Sequence, residues 1–232
     1  MALPKLNDTP QHELNIPSTG KTVKYRPYLV KEEKVLLLAF ETQDQKQMMN
    51  AMVNTIVACV QEDIDKTKLT TFDVEYMFLQ IRGKSVGETA TVGLKCAECE
   101  NVEEIEVNLD EITVPEKDLS NMIELTPEIF IEMRYPTFLD VGGIVGDDRE
   151  ESQIAFDMIE KSIAAVISGD ERIADFKKQE ITDFVESMTS TQLEKVSQFI
   201  REIPSLQKQV DYTCTECGHD NTIKLEGISD FF

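Results

Sequence analysis

"KCAECENVEEIEV" (residues 95–107) sets two cysteines at a bend and follows them with a polar–apolar alternation. "VGETATVGLK" (86–95) alternates before the bend, so the spacing predicts a β-hairpin with a C-x2-C pair at its tip. "DYTCTECGHDNTIKL" (211–225) repeats the arrangement, with strand-like "KQVDYT" before and "NTIKLEG" after. Four of the five cysteines fall in these two pairs, Cys96/Cys99 and Cys214/Cys217. Cys59 stands apart in an apolar helical stretch and reads as a small core residue.

Zn²⁺ takes four soft ligands at tetrahedral corners. A C-x2-C bend supplies two, because the chain turns back and amide N–H groups point at the sulfurs. Residues 100–213 separate the pairs, which weakens the signal, but the matching strand–knuckle–strand context restores it. Gly218 suits the left-handed turn of a knuckle, and Asn101 is the candidate for that role in the first. Four thiolates close the shell, so the expected metal is structural. An iron site of rubredoxin type uses the same ligands and stays open on spacing alone, as do unliganded thiols. A thioredoxin-like motif would open a helix, and neither pair is followed by a helical pattern. His219 could replace one thiolate, although two complete pairs make that unnecessary.

The rest of the chain reads as α+β. "ELNIPSTGKTVKYRPYLV" (13–30) predicts a first hairpin turning at Ser18, Thr19 and Gly20, with Val23, Tyr25 and Leu29 on one strand face and Pro17 and Pro27 at edge positions. "KEEKVLLLAFE" (31–41) starts a helix with acids in its first turn. Met49, Val53, Ile56 and Val60, widened by Met48 and Met52, mark a second helix over 44–62 whose methionine-rich stripe reads as core, with a partner groove as the alternative. "TTFDVEYMFLQIRGKS" (70–85) predicts a third, capped by Thr70 and Asp73 and ended by Gly83. Residues 108–138 hold strands and loops. Three helices are expected afterwards, on Ala155/Ile159/Ile163/Val166, Ile181/Phe184/Val185/Met188 and Leu193/Val196/Ile200/Ile203, the last capped by Thr191 and Glu194 and stopped by Pro204.

Expected segments are a loose arm over 1–12, an N-terminal part over 13–139, a glycine-rich acidic loop over 140–152 and a helical part over 153–232, integrated in one domain with helical groups at 31–84 and 150–204. The two cysteine knuckles would meet in a zinc-ribbon-like site.

Charge narrows the function. With 44 acidic and 23 basic residues the net charge is −21, and the most basic stretch, "KTVKYRPYLVKEEK", is mixed, which argues against phosphate backbones as partners. The longest apolar run, "VLLLAF" (35–40), is far short of a bilayer span, and the first residues lack a signal-peptide core, so a cytoplasmic, non-membrane protein is expected. "GKT" and "GKS" both lack the first P-loop glycine, with Asn15 and Phe78 in its place. Two histidines and no G-x-S-x-G elbow leave no nucleophilic centre, and no small-molecule substrate is expected.

"PSTGK" (17–21), "YRPYLVKEEK" (25–34), "KSVGE" (84–88) and the terminal "DFF" (230–232) together make the chain resemble the baseplate hub subunit family of T4-like contractile-tail bacteriophages. The resemblance runs over residues 12–232 and is strongest in the first hundred. It implies a non-enzymatic structural or assembly role beside other phage tail proteins, in the cytoplasm of an infected bacterium and at the virion tail baseplate. Tyr25, Arg26, Tyr28, Phe231 and Phe232 are then the expected partner-binding residues, with residues 229–232 a tail whose removal leaves the fold intact. The competing readings are a zinc-ribbon adaptor in transcription or nucleic-acid handling and a thiol oxidoreductase.

Overall fold

A computed structural model describes residues 9–42, 44–115, 120–144 and 150–231. Residues 1–8 of the expected arm, 145–149 of the expected acidic loop, and Phe232 lie outside the described residues. The chain is α+β, with seven α-helices and ten short strands among the described residues, every strand pairing antiparallel. Two compact units divide it: Met1–Pro115 with Ser205–Phe232, and Glu116–Pro204. The boundaries therefore fall beside Pro115 and Pro204, and the 140–152 segment lies inside the second unit.

In the first unit β1 (His12–Asn15) pairs with β2 (Thr22–Tyr25) around the "PSTGK" turn, where Gly20 takes φ 66°. Ser18 is anchored from its amide (2.8 Å) and its hydroxyl (2.6 Å) to the buried carboxylate of Asp73. Asp73 also accepts the Thr70 amide in the capping box that starts α3 (Thr71–Ser85). One carboxylate thus fixes a turn and a helix start, with charge-assisted bonds on both sides. The strand ends at Tyr25. Leu29, expected on its face, is the exposed N-cap residue of α1 (Val30–Glu41).

The other shared motifs hold the same corner together. In "YRPYLVKEEK" the Arg26 guanidinium meets Glu32 at 2.9 Å and the Ala58 carbonyl at 3.0 Å, while Glu32 accepts the Leu29 amide to box the start of α1. Arg26 holds the Glu32 carboxyl below its usual range despite the opposing effect of burial. In "KSVGE" Lys84 reaches Glu88 (2.5 Å) and Asp110 (2.8 Å), and the Ser85 hydroxyl accepts the Tyr28 amide. α2 (Gln45–Cys59) packs between α1 and α3. Met52 is buried as expected, and burial pushes the Cys59 thiol up to about 11. α3 runs through Gly83, which lies beside Leu109, so this glycine does not end the helix.

The two cysteine hairpins complete this unit. β3 (Thr89–Lys95) pairs with β4 (Val102–Asn108), and β9 (Gln207–Thr213) pairs with β10 (Asp220–Glu226). Leu94, Val107, Val210 and Leu225 from the hairpins, Leu79 from α3 and Phe231 from the C-terminal 3-10 turn Ile228–Phe231 share one core. The chain leaves the unit after Pro115 and returns at Ser205, and Thr113 and Gln207 pair across that gap.

The second unit carries β5 (Met122–Thr126), β6 (Ile129–Met133), β7 (Ile163–Ser168) and β8 (Glu171–Ile173) in one sheet in that order. α4 (Phe138–Gly142) takes the start of the expected acidic loop, and α5 (Glu151–Ser162) stops short of Ile163. Ile163 and Val166 are therefore strand residues, correcting the helix expected through them. β7 sits between two neighbours, and its buried Ile163 and Ala165 alternate with less buried positions, so β-branched side chains fit the pleat. α6 (Lys178–Glu186) and α7 (Ser190–Arg201) pack Ile181, Val185, Val196 and Phe199 into a core with Ile131, Met133, Ile159 and Ile163. The α7 capping box is Thr189 with Gln192, two residues before the expected Thr191–Glu194 pair.

Candidate metal centre

The two knuckles share one backbone design. In the first, the Cys96 amide donates to the Asn101 carbonyl (2.8 Å) and the Glu100 amide to the Cys96 carbonyl (3.0 Å). In the second, Cys214 donates to His219 (2.8 Å) and Gly218 to Cys214 (2.9 Å). The residue after the second cysteine takes a left-handed conformation both times, Glu100 at φ 63° and Gly218 at φ 73°. Gly218 fills the role expected of it, whereas in the first knuckle that role falls to Glu100 and not to Asn101.

The fold brings all four sulfurs together, within 4.8 Å of one another, in the one such grouping of possible metal ligands among the described residues. Across the knuckles Cys96 Sγ lies 3.7 Å from Cys217 Sγ, and Cys99 Sγ 3.6 Å from Cys214 Sγ. A tetrahedral Zn²⁺ with bonds of ~2.3 Å sets its sulfurs about 3.8 Å apart, so the donor set has the size and chemistry for that ion. Cys96 and Cys214 are buried while Cys99 and Cys217 face solvent.

The thiols respond unequally to being gathered. The Cys99 amide, followed by the Glu98 amide and the Asn221 side chain, draws the Cys96 thiol down to about 6. The His219 amide favours a thiolate on Cys217, but Cys99 and the other neighbouring thiols outweigh it and push Cys217 up to about 12. Cys214 is also raised, although the Cys217 amide points at its sulfur. The four sulfurs compete for charge, so a thiolate on one raises the cost of a thiolate on its neighbours.

Two residues that sequence reading missed lock the knuckles together. Asn221 on β10 accepts the Ala97 amide (3.0 Å) and directs its Nδ2 at Cys96 Sγ (3.5 Å). Glu103, at the matching place on β4, accepts the Thr215 amide (2.5 Å) and hydroxyl (2.9 Å). The Thr215 donors hold the Glu103 carboxyl below its usual range. Each knuckle is thus held by a side chain from the other hairpin, as across a two-fold axis. Asn221 is buried, where an amide needs partners, and the sequence alone does not show that burial.

The expected partner residues lie elsewhere and do not form one cluster with the cysteines. Tyr25 is 1% exposed, its ring against His12 (centroids 5.5 Å apart), and burial raises its hydroxyl to about 12. Phe231 is likewise 1% exposed, in the hairpin core. Both are packed within this unit, where they were expected on a contact surface. Arg26 and Tyr28 are half-buried, and Phe232 is outside the described residues.

No helix among the described residues is long and apolar enough to cross a membrane. The family model for the T4 bacteriophage base plate protein matches residues 9–232. No curated protein and no solved structure matches the chain.

Proposed function

The chain belongs to the T4 bacteriophage base plate protein family, and from that premise we propose that it is a non-enzymatic structural or assembly component of the tail baseplate hub, braced by a zinc ion on Cys96, Cys99, Cys214 and Cys217. The family match along nearly the whole chain carries the reading. The shared motifs support it further: Ser18–Asp73, Arg26–Glu32 and Lys84–Glu88 are all fold-holding pairs, not reacting groups.

Zinc would supply a cross-link of four thiolates and no reaction. Its place in the chain makes the cross-link useful. The second unit is inserted between the two knuckle hairpins, so a metal joining them, together with the Thr113–Gln207 bridge, fastens the chain on both sides of the insertion. A scaffold subunit under mechanical load gains from such a closure. Contacts would be with other tail proteins, in the infected cytoplasm and at the baseplate, with half-buried Arg26 and Tyr28 on the accessible side of the α1 corner.

Withholding this chain during phage infection should leave tails without complete baseplates, and complete infectious tails would reject the role. Elemental analysis of the purified protein should find about one zinc per chain; iron or no metal would reject the brace. Insulin reduction by the purified chain would favour the thiol-oxidoreductase reading.

A further inference from the structure

α1 is apolar on the side that faces solvent. Leu36 packs inward, whereas Val30, Leu37 and Leu38 are 77%, 59% and 55% exposed, and Val35 and Phe40 are exposed beside them. At about 100° per residue, Val30, Lys34, Leu37 and Glu41 fall on one outward seam flanked by Leu38 and Phe40. The seam's cation, Lys34, lies toward the amino end and its anion, Glu41, at the carboxyl end, while Lys31 is paired with the buried Glu32 of its own turn.

We propose that this face binds a second copy of the chain, α1 against α1 antiparallel, about a two-fold axis between Leu37 and Leu38. In that register Lys34 lies opposite the partner's Glu41, and Glu41 opposite the partner's Lys34. Leu37 is level with the partner's Leu38. The seam is complementary to itself only in this direction, because a parallel pairing sets lysine against lysine. The charge of −21 on each copy opposes association elsewhere on the surface, and this patch is a place where lysines meet acids. A helix of 12 residues is about 18 Å long, which makes the contact smaller than a standard interface of roughly 800 Å² per partner. The dimer is therefore reversible, with a Kd in the micromolar range.

Sedimentation equilibrium of the full chain near physiological ionic strength tests this, where the Debye length is about 8 Å. A monomer–dimer equilibrium is expected between about 1 and 200 μM, weakened roughly tenfold or more by Lys34→Glu or by Glu41→Lys alone. The double variant Lys34→Glu/Glu41→Lys should restore association to within about threefold of the original, which mere loss of folding or of apolar contact would not do. Circular dichroism should be the same for all four proteins, the charges being on the surface. A monomer at every concentration, single variants that associate undiminished, or a double variant that fails to recover would each overturn the proposal and leave the face to a different protein.

Discussion

Asn221 accepts the Ala97 amide at 3.0 Å across 124 positions of sequence and turns its own amide to Cys96 Sγ. Glu103 does the reciprocal service for Thr215. The two hairpins therefore hold each other through a reciprocal pair of polar side chains as well as through their cysteines.

Asn221→Ala should damage both properties. It leaves the Ala97 amide without its acceptor and removes a donor from Cys96 in a place only 4% exposed, at a cost of about 1–3 kcal/mol. Loss of a group that orients a ligand typically weakens metal binding by about 10–100-fold. Urea denaturation and competition with a chromophoric zinc chelator measure the two effects. Glu103→Gln keeps an acceptor for Thr215 and should be milder in both assays. Equal behaviour of Asn221→Ala and the unaltered protein would show that this side chain does not hold the hairpins together.

The left-handed residue of the first knuckle gives an opposite expectation. Glu100 holds φ 63° without being glycine, while Gly218 fills the equivalent place at φ 73°. The left-handed conformation costs a side-chain-bearing residue about 1–2 kcal/mol, part of which glycine returns through its freer unfolded state. Glu100→Gly should therefore stabilise the protein by about 0.5–1 kcal/mol, and Gly218→Ala should destabilise it by about 1 kcal/mol. The Lys95–Glu100 ion pair lost in the first variant is exposed at both ends and contributes little. Thermal melts of the two variants check the signs, and a lower Tm for Glu100→Gly would contradict the strain.

Legibility of the sequence followed the range of the interactions. The knuckle hairpins, the Thr70–Asp73 cap and the buried face of α6 all depend on neighbours within a few residues and were readable from spacing. Ile163 and Val166 continue the helical spacing of Ala155 and Ile159, and a short apolar run does not distinguish helix from strand without knowing that β6 and β8 lie beside it. Thr189 and Thr191 each have a capping partner three residues on, so the cap was ambiguous by two positions. Asn221 and Glu103 act on segments more than a hundred positions away, which no local pattern encodes.

The terminal aromatic shows the same limit and yields a further prediction. A phenylalanine near the chain end reads as an adhesive tail, but the hairpin core encloses Phe231 to 1% exposure. Phe231→Ala should cost about 3–5 kcal/mol, so removing residues 229–232 should destabilise the fold instead of only weakening an external contact. Chemical denaturation of the point variant decides between these. A loss under about 1 kcal/mol would return Phe231 to the surface role.

Glu75, on α3, supplies a pH dependence of unusual sign. It is largely enclosed, its carboxylate receives the Ile228 amide, and burial outweighs that bond to raise its pKa from 4.5 to about 7. Between those two values the folded protein keeps a proton that the unfolded chain has released. The folded state binds more protons there, so Glu75 makes stability fall as pH rises from about 4.5 to 7 and leaves the loss constant above. A shift of this size corresponds to about 3 kcal/mol. Most paired carboxylates act in the reverse direction; the lowered Asp140, bonded to Arg134 and Thr137, is one. The contribution of Glu75 is therefore isolated by difference. Glu75→Gln, neutral at every pH and still able to accept the Ile228 amide, should match the unaltered protein in urea at pH 4 and exceed it by about 2–3 kcal/mol at pH 8. An advantage of equal size at both pH values would mean that the substitution improves packing and that the carboxyl does not titrate in the folded state as its surroundings require.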